Sequence, residues 1–217
     1  VSIVDALGSS EGTGIGNQIT SRSSGKIGTA RFALGPHTRV FTDEGTEVTP
    51  GSEERGRLAT DYPLPLGYFK DPEKTAQTFP EIDGRRWSMA GDYAVVEEDG
   101  TITLLGRGSA CINTGGEKVY PEEVEEALKE LESVRDCNVV GIEDERWGQS
   151  VTAIVQLEDN VLLEENTVSE LQTEVRVNLA GYKVPKDIVI VPKIQRSPNG
   201  KTDYKWAKET AEAFLVE

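Results

Sequence analysis

The chain is poor in the side chains that most often carry metals or nucleophilic catalysis. It has one histidine, His37, and two cysteines, Cys111 and Cys137, in 217 residues. A single histidine excludes a histidine-based triad and a multi-histidine metal site. The cysteines lack metal or redox spacing and read as two reduced thiols in a cytoplasmic protein. No run of about 18 apolar residues occurs, so no transmembrane helix is expected. Positive charge is also scarce: 23 Lys and Arg against 38 Asp and Glu leave a net charge of -15. That excludes a general affinity for nucleic acid or anionic membrane, both of which need clustered cations. An anionic small ligand stays possible, because its site needs only local positive charge. The opening VSIVDALGSSEGTG has no basic n-region or cleavage site and is not expected to be a signal peptide. It enters a strand-like pattern at once, as expected of a stretch taken from something longer.

With 36% hydrophobic and 28% charged residues the composition is that of a globular protein, long enough for one large domain or two small ones. The expected fold class is α+β. Residues 1–108 read as mainly β: HTRVF (37–41), GRLAT (56–60), DYAVVEE (92–98) and TITLL (101–105) are short β-branched runs separated by turns. EEDG marks a hairpin, and strands at this spacing suggest a small antiparallel barrel or twisted sheet. DPEKTAQTF predicts a short helix with Asp71 as N-cap and Pro72 in its first turn. Residues 109–217 alternate helix and strand as a compact module. PEEVEEALKEL places Val124, Ala127, Leu128 and Leu131 on one helical face. CNVVGI, VTAIVQL and DIVIV read as strands, Thr167 and Glu170 as a capping box, and residues 204–215 as a last helix.

Five stretches hold side chains suited to a ligand, each with an ordinary structural reading beside it. In Leu7-Gly8-Ser9-Ser10-Glu11, hydroxyls can bond phosphate and the carboxylate can hold magnesium, or the stretch is a polar turn. The GTGIG that follows has the wrong spacing for a dinucleotide fingerprint. Asp92, after Gly91, can accept from a ribose diol or merely cap a turn. Arg107 has a planar fork for hydroxyl or phosphate, or sits on the surface. Gly115-Gly116 lets a ligand approach the backbone or is a plain β-turn. Lys201, in Pro198-Asn199-Gly200-Lys201, can bridge two anionic groups or be solvated. Residues 106–109 (GRGS) interrupt the β pattern and read as a hinge between two modules.

The order of these stretches is more specific than any of them. GSSEGTG, GRLATDYPLPLGYFKDPEKT, GDYAVVEEDGTITLLGRGSACINTGGEKVYPEEVE, LAGYKVPK and SPNGKTDY together resemble the adenylate-forming superfamily, which includes acyl-CoA synthetases, peptide-synthetase adenylation domains and firefly luciferase. The GRGSACINTGGEKVYPEEVEEAL stretch is most similar to actinobacterial fatty-acyl-CoA synthetases. The resemblance implies an ATP-dependent carboxylic acid–CoA ligase with ATP, a fatty acid and CoA as partners. Acid attacks ATP to give acyl-adenylate, and CoA thiolate then displaces AMP. It implies Glu11 for magnesium, Ser10 toward phosphate, Asp92 and Arg107 for the ribose, and Lys201 between substrate carboxylate and α-phosphate. Gly115, Gly116 and Lys118 would face CoA, and a lid would swing about Gly108 and Ser109.

On this reading residues 1–108 end a large domain and include its barrel, while 109–217 form the mobile lid. Leu7 replaces an aromatic that stacks on adenine in the family, and Ser109 stands where Asp or Lys is common. The family's phosphate loop and most of its acyl pocket belong upstream, in an N-terminal part this chain would need, so the chain alone is expected to be inactive. A module charging a carrier protein, or a non-catalytic nucleotide-binding relative, remains an alternative.

Overall fold

The computed structural model describes residues 1–21, 31–198 and 200–215. The chain separates into two compact units, Val1–Ser109 and Ala110–Glu217.

In the first unit β1 (Ser2–Ser9), β2 (Gly12–Ser21), β3 (Arg31–Leu34), β4 (Thr38–Phe41) and β5 (Arg55–Thr60) precede helix α1 (Pro72–Thr78). A two-residue pair, β6 (Glu81–Ile82) and β7 (Arg85–Arg86), leads to β8 (Asp92–Val96) and β9 (Thr101–Arg107). The EEDG turn joins β8 to β9: Gly100 N–H donates to the Glu97 carbonyl, and Gly100 takes the positive φ that favours glycine. Asp71 caps α1 by accepting the Lys74 N–H at 2.9 Å, with Pro72 in the first turn, as its sequence demands. Alternate residues turn inward, so Phe32, Val40, Leu58, Ala94, Val96 and Ile102 make the core.

These strands form one antiparallel sheet in the order β1-β2-β3-β9-β8-β5-β4. A closed barrel is not found: among the described residues, no ladder joins the end strands β1 and β4. The sheet nonetheless curls. A Cβ on Gly12, at the start of β2, would lie 2.4 Å from Thr60 Cγ2 of β5, so only glycine permits that approach. β1 is the sheet's edge strand and β2 pairs β3 at Gly16 and Asn17, while Ile3, Val4 and Ile19 of these two strands are exposed.

A 3-10 turn at Gly108–Ala110 spans the boundary, and the second unit then holds β10 (Ile112–Thr114), β11 (Glu117–Val119), α2 (Pro121–Lys129), β12 (Val134–Asp144), β13 (Gly148–Leu157), α3 (Thr167–Val175), β14 (Asp187–Ile190) and α4 (Tyr204–Leu215). The sheet order is β11-β10-β13-β12, with β14 parallel to β13. The two-residue period of β12 and β13 supplies two cores. Cys137, Val139, Ala153 and Val155 pack under α2 and α3 with Val124, Leu128, Leu171 and Val175. Val140, Ile142 and Ile154 pack under α4 with Ala207 and Ala211. Full burial of each such Val, Leu or Ile contributes roughly 1.5–3 kcal/mol.

The expected capping box at α3 does not form. Asn166 is already helical, and Glu170 N–H bonds its carbonyl, so the turn starts one residue earlier. Thr167 Oγ1 instead accepts the Glu164 N–H at 2.8 Å, and the Glu170 carboxylate takes the Asn166 amide. Cys111 and Cys137 are not joined in a disulfide. No helix among the described residues is long and apolar enough to cross a membrane.

Candidate functional site

The first unit gathers four polar side chains at one end of its sheet. Asp92 and Arg107 are direct partners across β8 and β9, with Arg107 Nε 3.4 Å from Asp92 Oδ1. Gly91, at φ 97, turns the chain into β8, and its carbonyl accepts the Gly108 N–H at 3.0 Å. The backbone on both sides of Asp92 and Arg107 is thereby fixed. Glu11 sits in the β1–β2 turn, which Ser9 holds by accepting the N–H groups of Glu11 and Gly12 on its Oγ. The Tyr68 hydroxyl donates to Glu11 Oε1 at 2.7 Å. Tyr68 is itself held, its N–H donating to Thr75 Oγ1 and its ring lying beneath Lys74 Nζ at 4.1 Å.

The two carboxylates are tuned in opposite directions. The Tyr68 hydrogen bond holds Glu11 below the usual carboxylate range, helped by the Arg107 charge. Burial pushes Asp92 upward, and Arg107 opposes that shift by its charge and its hydrogen bond. A carboxylate kept ionised beside an arginine suits a ligand bearing both a cation and hydroxyl groups. Magnesium commonly takes one or two carboxylates and completes its shell with water and substrate phosphate. Glu11 fits such a shared site. Among the described residues, no three His, Cys, Asp or Glu side chains cluster into an all-protein cage.

Ser10 is exposed in the β1–β2 turn, and Leu7 packs half-buried against the core of the first unit. Gly108 is tightly enclosed, since a Cβ there would lie 2.7 Å from Tyr93 Cε2. Ser109 is exposed at the middle of the 3-10 turn.

In the second unit Gly115 and Gly116 form the two-residue turn of the β10–β11 hairpin, at φ 59 and 89. Their surroundings differ. A Cβ on Gly115 would come 3.0 Å from the Trp147 ring, whereas one on Gly116 would meet open space. Lys118 is half-buried on β11, opposite Asn113. Lys201 is exposed, and its carbonyl accepts from both the N–H and the hydroxyl of Ser197. Asn199 of this motif lies outside the described residues. The first-unit group of Ser10, Glu11, Asp92 and Arg107 belongs to one unit, and Gly115, Gly116, Lys118 and Lys201 to the other.

Tyr68 and Trp147 contact the candidate residues Glu11 and Gly115, and sequence reasoning missed both. Tyr68 lies inside the quoted GRLATDYPLPLGYFKDPEKT, yet nothing local shows that its hydroxyl meets a carboxylate 57 residues away. Trp147 sits in a loop with no periodic pattern.

Residues 123–201 match the AMP-binding enzyme C-terminal domain, and curated relatives of the chain are acyl-CoA ligases. A medium/long-chain fatty acid–CoA/3-oxocholest-4-en-26-oate–CoA ligase of Mycobacterium tuberculosis is 49% identical over 97% of this chain and 38% of its own length. A 3-oxocholest-4-en-26-oate–CoA ligase of Rhodococcus rhodochrous is 50% identical over 95% of the chain and 37% of its own length. The chain thus spans little more than a third of these relatives. Among solved structures, the amide bond synthetase McbA of Marinactinospora thermotolerans superposes with a TM-score of 0.83 at 26% identity, over 96% of this chain and 42% of that one. The anthranilate CoA ligase AuaEII with anthranoyl-AMP gives 0.79 at 25% identity, over 97% and 40%.

Proposed function

We propose that this chain works within a whole ATP-dependent carboxylic acid–CoA ligase, whose acid is a fatty acid or a steroid carboxylate of the kind named for its relatives. The observation that carries the proposal is the Asp92–Arg107 pair beside the Glu11–Tyr68 pair in one unit. A nucleotide presents a ribose diol and a phosphate-bound cation together, and these four side chains match both. Asp92 accepts from the ribose hydroxyls while Arg107 donates to them. Glu11 is the magnesium ligand, with Ser10 on the phosphate side. Magnesium, when bound, offsets phosphate charge as pyrophosphate leaves.

Lys201 bridges the substrate carboxylate and the α-phosphate, so that charge growing on the phosphate is met by a fixed cation. Residues 1–108 act as the end of the large domain and 109–217 as a lid, turning at Gly108 and Ser109 to bring Gly115, Gly116 and Lys118 to CoA. The working location is the cytoplasm. The N-terminal part of the enzyme supplies the phosphate loop and the acyl pocket.

The test is a pair of half-reactions in the whole enzyme. Lys201→Ala should remove ATP–pyrophosphate exchange while largely sparing thioester formation from supplied acyl-adenylate. Equal loss of both would contradict the role given to Lys201.

A further inference from the structure

The segment that leads into Lys201 is tied to the sheet by side chains far away in sequence. The first tie is a fork. Arg196 Nε donates to Asp136 Oδ2 at 3.0 Å and Arg196 Nη2 donates to Asp136 Oδ1, a bidentate pair across 60 positions. Such a pair fixes direction as well as distance, unlike the single contacts of most surface ion pairs. Asp136 is itself held, because its Oδ1 also accepts the Cys137 N–H at 2.9 Å. The β12–β13 ladder shifts register between Val134 and Asp136, and a bulge of this kind re-aims the side chain beside it. The second tie comes from the cross-strand partner of Asp136. Gln156 Oε1 accepts the Ile194 N–H at 3.0 Å, and Ile194 buries its side chain under α4 with Ala207 and Ala211.

Beyond Arg196 the chain returns on itself at once. Arg196 and Thr202 pair as an isolated antiparallel bridge. Inside that bridge the Lys201 carbonyl accepts the Ser197 N–H at 2.9 Å and the Ser197 hydroxyl at 2.8 Å, and the Ser197 carbonyl accepts the Gly200 N–H at 2.8 Å. Gly200 takes a φ of 80, the left-handed conformation that favours glycine. On the far side Asp203 accepts the Trp206 N–H at 3.0 Å and so caps α4. Lysine carries its ammonium on a flexible four-carbon stem, so the anchoring of its backbone decides where that charge can reach. A displacement of about 1 Å at a positioned group can cost on the order of a hundredfold in rate.

We propose that Arg196 and Asp136 are positioning residues for the adenylation step, holding the backbone of Lys201 so that its ammonium meets the substrate carboxylate and the α-phosphate. The assignment rests on the role given to Lys201 above. Arg196 acts through its partner rather than on the substrate, so removing either member of the pair has the same consequence.

In the whole enzyme Arg196→Ala and Asp136→Ala are compared with Lys201→Ala in both half-reactions. Each should lower the kcat of ATP–pyrophosphate exchange about tenfold, with the KM for ATP and thioester formation from supplied acyl-adenylate within about twofold of the parent. A change that only loosened the fold would depress both half-reactions together, and that result would overturn the positioning role. The double variant should be no slower than either single one, because the second change has no bond left to break. A loss with Arg196→Ala but not with Asp136→Ala would also overturn it, since the arginine would then act without its partner. If Lys201→Ala abolishes exchange while neither change at the pair affects it, the positioning role falls and the Lys201 reading stands. The 217-residue chain supplies an arm independent of that reading: in Asp136→Ala the backbone amide order parameters of Gly200 and Lys201 should fall. Exchange that survives Lys201→Ala would overturn the Lys201 reading itself. Lowered order parameters would then still establish the anchor, and unchanged ones would overturn it as well.

Discussion

Tyr68 donates its phenolic hydrogen to Glu11 across 57 positions of sequence, at 2.7 Å, and this bond is the largest influence keeping the Glu11 carboxylate ionised. Tyr68→Phe deletes the donor and leaves the ring. Because the folded state holds Glu11 below its unfolded range, the bond's stabilisation is present at neutral pH. It disappears as acid protonates the folded carboxylate. The variant should therefore lose about 1 kcal/mol at pH 7 and approach the parent in strong acid. The Glu11 carboxyl resonance should titrate at higher pH than in the parent; an unmoved titration would sink the assignment.

Gly108 and Tyr93 offer a steric test at the proposed pivot. A methyl at Gly108 would lie 2.7 Å from Tyr93 Cε2, closer than packed atoms tolerate. Gly108→Ala should cost about 1–3 kcal/mol in denaturant unfolding, a normal penalty for overpacking. Adding Tyr93→Ala should recover part of the loss, since the clash then has no partner. Strict additivity of the two changes would show that the ring is not the obstacle.

Ser109 tests the pivot through function. It is exposed at the centre of the 3-10 turn, so a substitution there disturbs little packing. Proline would fix its φ near one value and restrict Gly108 before it. In the whole enzyme Ser109→Pro should spare ATP–pyrophosphate exchange and slow thioester formation at least tenfold. A normal thioester rate would place the turning point elsewhere.

What could be read from sequence follows from the range of the interactions involved. The β8–β9 hairpin was legible because EEDG and the flanking β-branched runs determine it locally, and α4 because Ala207 and Ala211 share a face with a helical period. Sheet closure was not legible. It depends on whether the end strands β1 and β4, far apart in sequence order across the sheet, pair with each other, and no local residue encodes that. The α3 capping box failed for a similar reason, since the lead-in turn at Glu164 takes Thr167 before the helix can. Asp92 and Arg107 stand out in a motif, and the structure brings them together across β8 and β9. Tyr68 and Trp147 owe their roles to contacts between distant segments.

Glu125 shows the same gap between pattern and contact, and it carries the last prediction. On α2 it follows Val124 at the edge of the apolar face, yet it is only 3% exposed. Its Oε1 accepts the Val139 N–H at 2.9 Å on β12, a strand at the sheet edge. Burial pushes its pKa up to about 7, against the opposing pull of that N–H and of Lys129 3.9 Å away. A folded pKa above the unfolded one means that the folded state binds the extra proton. Glu125 therefore favours folding fully below about pH 4.5, and this contribution is lost as pH rises through about 7. The loss is on the order of 3 kcal/mol. Glu125→Gln keeps an acceptor for Val139 and removes the charge. In urea unfolding at pH 5 and pH 8 the parent should weaken toward pH 8 and the variant should weaken less, so that the variant is the more stable protein at pH 8. Parallel pH dependences for the two proteins would mean that Glu125 does not titrate in this range.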